Sequence, residues 1–468
     1  MKVKFWGAAR EVTGSKTLIT TQDGKNILLD CGMYQGKGLE TDALNRNLGV
    51  NASNIDYVIL SHAHIDHSGL IPYLYKLGFR GSVISTNSTR NLCSIMLADS
   101  GHIQELDIKW FNKKRDKKKQ PPVSPLYTVD DAENCMKLFI SVELNRKFQI
   151  NENIHVKFTN TGHMLGSGVI NLEIKEGDNT IRLAYTGDIG RPVNRILRSP
   201  DAFPPCDYLI TESTYGNRLH QSVKDMEEDL LQIITDTCVD RKGKLIIPSF
   251  AIGRTQEIVF VLNNFFNEGK LPKINVYVDS PLSVNATEVF RMHLNELNEE
   301  VKSVMKTDPD PFGFNSLHYI KLVEESKALN ETSEPCIIIS SSGMAEAGRI
   351  KHHIANNISN PNNTILIVGY CSPTSLGARI QEPGLKEVSI FGDYHSVNAR
   401  IAKIESFSGH ADYNEMTQFL QCQDTSKIKT TFLVHGEYEV QQAYKNHLLQ
   451  HGFKNIEIPE MGNEFELS

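Results

Sequence analysis

Four side chains able to bind a metal ion stand within six positions of this chain: His62, His64, Asp66 and His67, in the run Ser61-His62-Ala63-His64-Ile65-Asp66-His67-Ser68-Gly69. They follow the apolar segment Tyr57-Val58-Ile59-Leu60, which reads as a buried strand. Alternation along a strand would put His62 and His64 on one face, where both reach the same ion. The chain then turns, and Asp66 and His67 become available to a second ion beside the first. Imidazole nitrogens with carboxylate oxygens suit zinc and similar divalent metals.

One cluster cannot close two coordination shells, so the remaining ligands are expected at strand ends elsewhere. His163 in Thr161-Gly162-His163, Asp188 in Thr186-Gly187-Asp188, and His435 in Val434-His435-Gly436-Glu437 each follow a strand-like segment. The expected assembly gives His62, His64 and His163 to one metal. It gives Asp66, His67 and His435 to the other, with Asp188 bridging and a hydroxide between the ions. The glycine before Asp188 is read as leaving room for the metal. Asp30, at the end of Ile27-Leu28-Leu29, is expected to orient a ligand histidine from behind, a support that ligand histidines usually have. His102, His155, His220, His352, His353 and His395 are read as ordinary surface residues.

The elements that must carry these groups change rhythm along the chain. Short strands joined by turns dominate up to Glu212, with Asp23-Gly24 as a hairpin turn. Residues 88–107 read as helix. The basic run Lys113-Lys114-Arg115-Asp116-Lys117-Lys118-Lys119 reads as a solvated loop. After Glu212, helices and strands alternate, including a helix from Ser222 to Cys238 and another from Met344 to Asn357. That alternation suggests a parallel α/β sheet. Short strands return near residue 386, so one domain is expected to interrupt another. The boundaries fall at 1–213, 214–385 and 386–468.

Bulk composition narrows the class. With 468 residues, 40% hydrophobic and 22% charged, the chain is an ordinary globular protein with a large core. Its formal net charge of −7 advertises no global field for nucleic acid, so a polyanion would need a local basic channel. The eight cysteines include no C-x-x-C pair and are expected to be reduced thiols. No signal peptide or membrane span is expected, and a cytoplasmic location follows.

Taken together, the motifs resemble a known family. Asp30, the His62–His67 cluster, His163 and Asp188 occur in the order of the metallo-β-lactamase fold. Thr211-Glu212-Ser213-Thr214-Tyr215, Phe407-Ser408-Gly409-His410-Ala411-Asp412 and Leu433-Val434-His435-Gly436-Glu437 are similar to motifs A, B and C of the β-CASP ribonucleases. That group includes the endonuclease subunit of the eukaryotic mRNA 3′-end cleavage complex and its bacterial and archaeal relatives. Pro248-Ser249-Phe250-Ala251-Ile252-Gly253-Arg254 and Ser341-Ser342-Gly343-Met344 resemble segments of the inserted domain. The resemblance implies an α/β fold, an αββα sandwich interrupted by a β-CASP domain. It also implies two zinc ions, with manganese allowed, and hydrolysis of single-stranded RNA by a zinc-activated hydroxide to 3′-hydroxyl and 5′-phosphate ends. His435, rather than the valine usual in the DNA-processing branch, favours RNA. His410 is expected to be the general acid, Glu212 its partner, and Asp66 a catalytic ligand that orients the nucleophile. Arg254, Ser341, Ser342, Gly343, Arg349 and Arg379 are expected phosphate contacts, with Ser341–Gly343 presenting donors ahead of the helix at Met344. A homodimer is allowed. A thioester or lactone hydrolase on the same metal site, and an inactive RNA-binding subunit, stay open as alternatives.

Overall fold

In the computed structural model the chain packs as two compact units. One comprises Met1–Asn194, Arg198–Leu219 and His410–Ser468, and the other Arg195–Leu197 and His220–Gly409. The structure describes all residues except 37, 221–222, 370, 373 and 405–408, and every count below is of the described residues. Phe407 and Ser408 of motif B, and Ser222, lie outside them.

The first unit is a pair of seven-stranded sheets. In one, Lys2–Gly7, Lys16–Thr20 and Asn26–Leu29 form an antiparallel meander, and Tyr57–Ile59, Ser82–Thr86 and Phe139–Val142 extend it in parallel. Glu464–Glu466 closes the far edge against Lys2–Gly7. In the other, Ile154–Asn160, Gly168–Glu176 and Asn179–Tyr185 run antiparallel, followed by Tyr208–Thr211 and Thr430–Leu433 in parallel. Val3, Phe5, Ile27, Leu29 and Ile59 of the first sheet share one buried cluster with Phe158, Ile170, Leu172, Leu183, Ile210 and Phe432 of the second. The outer face of the second sheet packs Ala184, Leu209 and Leu433 against Met416, Leu420, Tyr444 and Leu448 of the covering helices. Alternate residues of each strand thus serve two cores, the signature of a layered sandwich.

The second unit is a six-stranded parallel sheet in the order Leu317–Ile320, Asn275–Asp279, Cys336–Ser340, Leu245–Pro248, Thr364–Val368, Arg400–Ile404. The strands Cys336–Ser340 and Thr364–Val368 are buried at every position, as expected for strands covered by helices on both faces. The expected domain boundary at 385/386 falls before Arg400–Ile404, and that strand pairs with Thr364–Val368 in this sheet.

Several local readings need correction. The helix expected over 88–107 runs from Asn87 to Lys117, so most of the basic run is helical. Lysine and arginine are good helix formers, and Lys114, Arg115 and Lys117 in the last turn complement the helix dipole. The helix expected from Met344 begins at Arg349 instead, because Ala345 and Gly348 take positive φ angles of 59° and 78°. Ser341–Gly343 therefore do not lead directly into a helix N-terminus. His353 is fully buried rather than on the surface, with Nε2 2.7 Å from Asp279 Oδ2 and Nδ1 2.9 Å from Asn330 Oδ1. All eight cysteines are free thiols, and no described helix is long and apolar enough to cross a membrane.

Candidate metal centre

Every residue of the expected centre lies in the first unit, where His62, His64, His163 and Asp188 form one group of converging side chains and Asp66, His67 and His435 another. His62 Nε2 and His163 Nε2 are each 3.4 Å from Asp188 Oδ2. His64 Nδ1 is 3.2 Å from His62 Nε2 and 3.1 Å from His163 Nε2. In the second group His67 Nε2 lies 3.2 Å from His435 Nε2 and 3.2 Å from Asp188 Oδ1, and Asp66 Oδ2 lies 3.4 Å from His435 Nε2. A tetrahedral ion with bonds of about 2.0–2.1 Å holds its ligand atoms roughly 3.3 Å apart, so these separations match ligand atoms converging on a cation. Asp188 Oδ1 is buried with no hydrogen-bond partner among the described residues, a costly state for a carboxylate oxygen unless a positive charge meets it. The residues present therefore fit divalent ions at these two positions.

The backbone does more of the aiming than a strand would. The strand ends at Ile59, so His62 and His64 stand on the loop beyond it. His64 has φ −51° and ψ 148° and begins the short helix Ile65–Ser68, which lifts Asp66 and His67 away from the first group. His435 follows the strand Thr430–Leu433 in a left-handed turn with φ 53°. Its amide donates to Ala8 O at 2.7 Å, and its carbonyl accepts from Ser213 N at 3.2 Å and Thr214 Oγ1 at 3.1 Å. The glycines around Asp188 serve backbone packing rather than metal access. A Cβ on Gly187 would meet Ser61 Cβ at 2.6 Å, and one on Gly190 would meet Gly162 O at 2.0 Å.

Ring tautomers are fixed from behind. Asp30 Oδ2 accepts from His67 Nδ1 at 2.7 Å, from Ser61 Oγ at 2.7 Å and from Tyr185 Oη at 2.8 Å, while Asp30 Oδ1 accepts from Ser61 N at 2.7 Å. Ser61 Oγ, having donated to Asp30, accepts from His62 Nδ1 at 3.0 Å. Thr214 Oγ1 accepts from His435 Nδ1 at 2.9 Å. Each of these bonds leaves an Nε2 lone pair facing the centre. Ser61, Tyr185 and Thr214 were not singled out from the sequence. Ser61 and Thr214 lie inside quoted motifs, and Tyr185 directly precedes Thr186-Gly187-Asp188, but Asp30 is 155 residues away from it.

The electrostatics follow the same division. Burial, joined by neighbouring His62, holds His64 down to about 3, and burial also keeps His62 and His163 neutral. These nitrogens are thus free to ligate. Burial would also lower His67, but the carboxylates of Asp188 and Asp30 outweigh it and raise its affinity for positive charge. Burial opposes ionisation of Asp188, yet the surrounding histidines hold its carboxyl well below the usual range.

Beside this centre, His410 Nδ1 is 3.1 Å from Glu212 Oε2 and 3.9 Å from Asp188 Oδ2. Glu212 is buried, and its Oε1 accepts from the Ile189 amide. His410 is held by a bridge to Gly190 and by the Ala411 amide donating to Ile189 O at 2.8 Å. Burial alone would lower His410, but Glu212 first and Asp188 next raise it to about 9.

The expected phosphate contacts lie in the second unit and are largely engaged there. Arg254 pairs with Glu257 at 2.5 Å, and Arg349 donates to Asp279 Oδ1 at 2.5 Å and to Lys321 O at 2.6 Å. Ser341 Oγ donates to Ser280 Oγ at 2.9 Å, and Ser342 Oγ accepts from the amides of Glu346 and Ala347. Gly343 lies so close to the Phe250 ring that a Cβ would stand 2.7 Å from it. Arg379 keeps a buried Nε with no hydrogen-bond partner among the described residues.

One glycine does control the second ligand group. A Cβ on Gly32 would lie 1.6 Å from Asp66 O and 2.8 Å from His67 N. Gly32→Ala is therefore expected to displace the Asp66–His67 turn and lower the metal bound per chain, read by elemental analysis of the purified protein. An unchanged metal content would show that the turn can move without cost to the ligands.

Comparison with known proteins places the chain consistently. Residues 10–89 match the metallo-beta-lactamase superfamily, residues 255–380 the Beta-Casp domain, and residues 394–459 a Zn-dependent metallo-hydrolase RNA specificity domain. The chain is 32% identical to Ribonuclease TTHA0252 of Thermus thermophilus, over 94% of each chain. It is 34% identical to an RNase J-like protein of Methanocaldococcus jannaschii, over 93% of this chain and 92% of the relative. Cleavage and polyadenylation specificity factor 73 of Drosophila melanogaster is 29% identical, over 93% of this chain and 60% of the relative.

Proposed function

Since the chain belongs to the β-CASP ribonuclease family of the metallo-β-lactamase superfamily, we propose that it is an endoribonuclease cutting single-stranded RNA with two zinc ions, leaving 3′-hydroxyl and 5′-phosphate ends. The ribonuclease named among its relatives supports an RNA substrate. Bound at the two ligand groups, the ions would supply Lewis acidity that makes water nucleophilic at neutral pH and neutralises charge on the phosphoryl group.

The observation that carries the reading is the His410–Glu212 pair beside Asp188. Hydrolysis of a phosphodiester expels an alkoxide, which needs a proton. With Nδ1 donating to Glu212, His410 presents Nε2 as the nitrogen that delivers it. The Glu212 carboxylate, hydrogen-bonded to Nδ1, raises the affinity of the ring for its proton. Glu212, fixed by the Ile189 amide, holds the ring orientation. Asp66, whose Oδ2 lies 3.4 Å from His435 Nε2 in the second ligand group, would accept a hydrogen bond from the attacking water. Arg254 Nε and Arg379 Nε are both buried with no hydrogen-bond partner among the described residues, but Arg254 is paired with Glu257 through its Nη1, so Arg379 is the better supported phosphate contact. Arg254, Ser341, Ser342, Gly343 and Arg349 would first have to exchange internal partners.

His410→Ala is expected to slow cleavage of end-labelled RNA by about 10²–10⁴-fold, the usual contribution of a positioned acid, with both metals retained. Unchanged cleavage would remove His410 from the mechanism, and loss of metal would make it a ligand.

A further inference from the structure

The C-terminal half of the helix Asn87–Lys117 carries a surface that the metal centre does not use. From Lys109 to Lys119 there are seven basic residues and one acid, in a chain of net charge −7. Trp110 is 60% exposed and Phe111 45%, so this end of the helix offers aromatic as well as charged surface. One side of the helix is closed by the returning chain. Asn112 exchanges two hydrogen bonds of 2.9 Å with the backbone of Val123, and Arg115 Nε donates to Pro121 O at 2.7 Å. Helical spacing puts Trp110, Lys113, Lys114 and Lys117 on the opposite side. There Lys114 Nζ lies 3.5 Å from the centroid of the Trp110 ring.

The geometry points to a docking strip for single-stranded RNA, in which a base stacks on Trp110 and Lys113, Lys114 and Lys117 contact the flanking phosphates. This rests on the proposed ribonuclease function and adds to it a contact outside the bond being cut. Charge complementarity selects the occupant. A second copy of this strip would bring like charges face to face, whereas a polyanion neutralises them and offers bases for the aromatic ring. The anchored helix end keeps the strip in place without a partner.

The test compares wild type with Trp110→Ala and with the triple variant Lys113→Glu, Lys114→Glu, Lys117→Glu. All four positions are solvent-exposed, and metal content and melting temperature check that the variants fold. On RNA of about 30 nucleotides, well beyond a single binding module's footprint, KM is expected to rise about tenfold for each variant with kcat unchanged, the scale of one lost stacking contact. On RNA of about 8 nucleotides all three proteins should cleave alike, since so short a chain spans little beyond the cut site. The triple variant should also flatten the dependence of log affinity on log salt by about 2, given roughly 0.7 per phosphate on single strands. RNA should quench Trp110 emission in wild type, a signal that Trp110→Phe removes.

Equal KM on the long RNA and no quenching would overturn the strip. So would a wild type that self-associates in sedimentation where the triple variant does not, which would assign the surface to a second copy. If wild type cleaves no RNA at all, the ribonuclease reading fails by itself, and quenching still reports on the strip.

Discussion

Replacing Asp188 by asparagine is expected to empty both metal positions at once. In the proposed arrangement the carboxylate is shared by the two ligand sets, since Oδ2 lies 3.4 Å from His62 and His163 and Oδ1 3.2 Å from His67. Asparagine keeps the shape but offers one oxygen and no charge, so one set gains an amide donor where it needs an acceptor. With that charge gone, Asp66 is the one carboxylate left among the seven ligands to offset two dications. RNA cleavage should fall by on the order of 10⁴-fold or more, as expected when the ions that generate the nucleophile are lost. Elemental analysis should find less than one equivalent of metal. A protein that retains two equivalents after this change would show that Asp188 does not bridge. His64→Ala is the useful contrast, because it touches the first group only.

The second large effect is expected at Asp30, which belongs to neither ligand group. Its carboxylate is fully buried and accepts four hydrogen bonds, from Ser61 N, Ser61 Oγ, His67 Nδ1 and Tyr185 Oη. Asp30→Ala strands all four donors in a dry interior and frees the His67 ring to turn. A buried charged partner removed in this way typically costs about 3–5 kcal/mol of stability. Loss of the support behind a ligand histidine lowers metal affinity by about 10–100-fold. Thermal unfolding with and without metal, together with a competitive chelator titration, reads both. Tyr185→Phe removes one of the four bonds and should produce a much smaller change. Equal effects of the two variants would mean that Asp30 acts through its turn, where φ is 58°, rather than through its hydrogen bonds.

The candidate ligands were legible in the sequence because their chemistry is local. Histidines and aspartates at strand ends announce themselves wherever a strand-like run stops, and His163, Asp188 and His435 all do so. The supports were not, since they are set by which strands become neighbours. Tyr185 matters because its strand faces Asp30 across the sandwich core, and no spacing records that. The same cause hides His353, whose burial depends on Asp279 from a separate strand. The helix expected to stop at 107 continued because a lysine-rich segment has no breaker before Pro121, and Asn112 ties it to Val123. The helix expected at Met344 was delayed by two positive-φ residues that periodicity cannot see.

The separation of His67 and His435 by 368 positions has a consequence for how the molecule is born. During synthesis His62, His64, His163 and Asp188 leave the ribosome as a nearly complete one-ion nest. The second nest waits for His435, and His410, the proposed proton donor, also arrives late. All of the second compact unit between His220 and Gly409 must be made in between. Loading should therefore be sequential, and the chain stays catalytically silent until its final strands close. On the proposed function, the message being translated would meet no assembled nuclease centre until its last codons had been read.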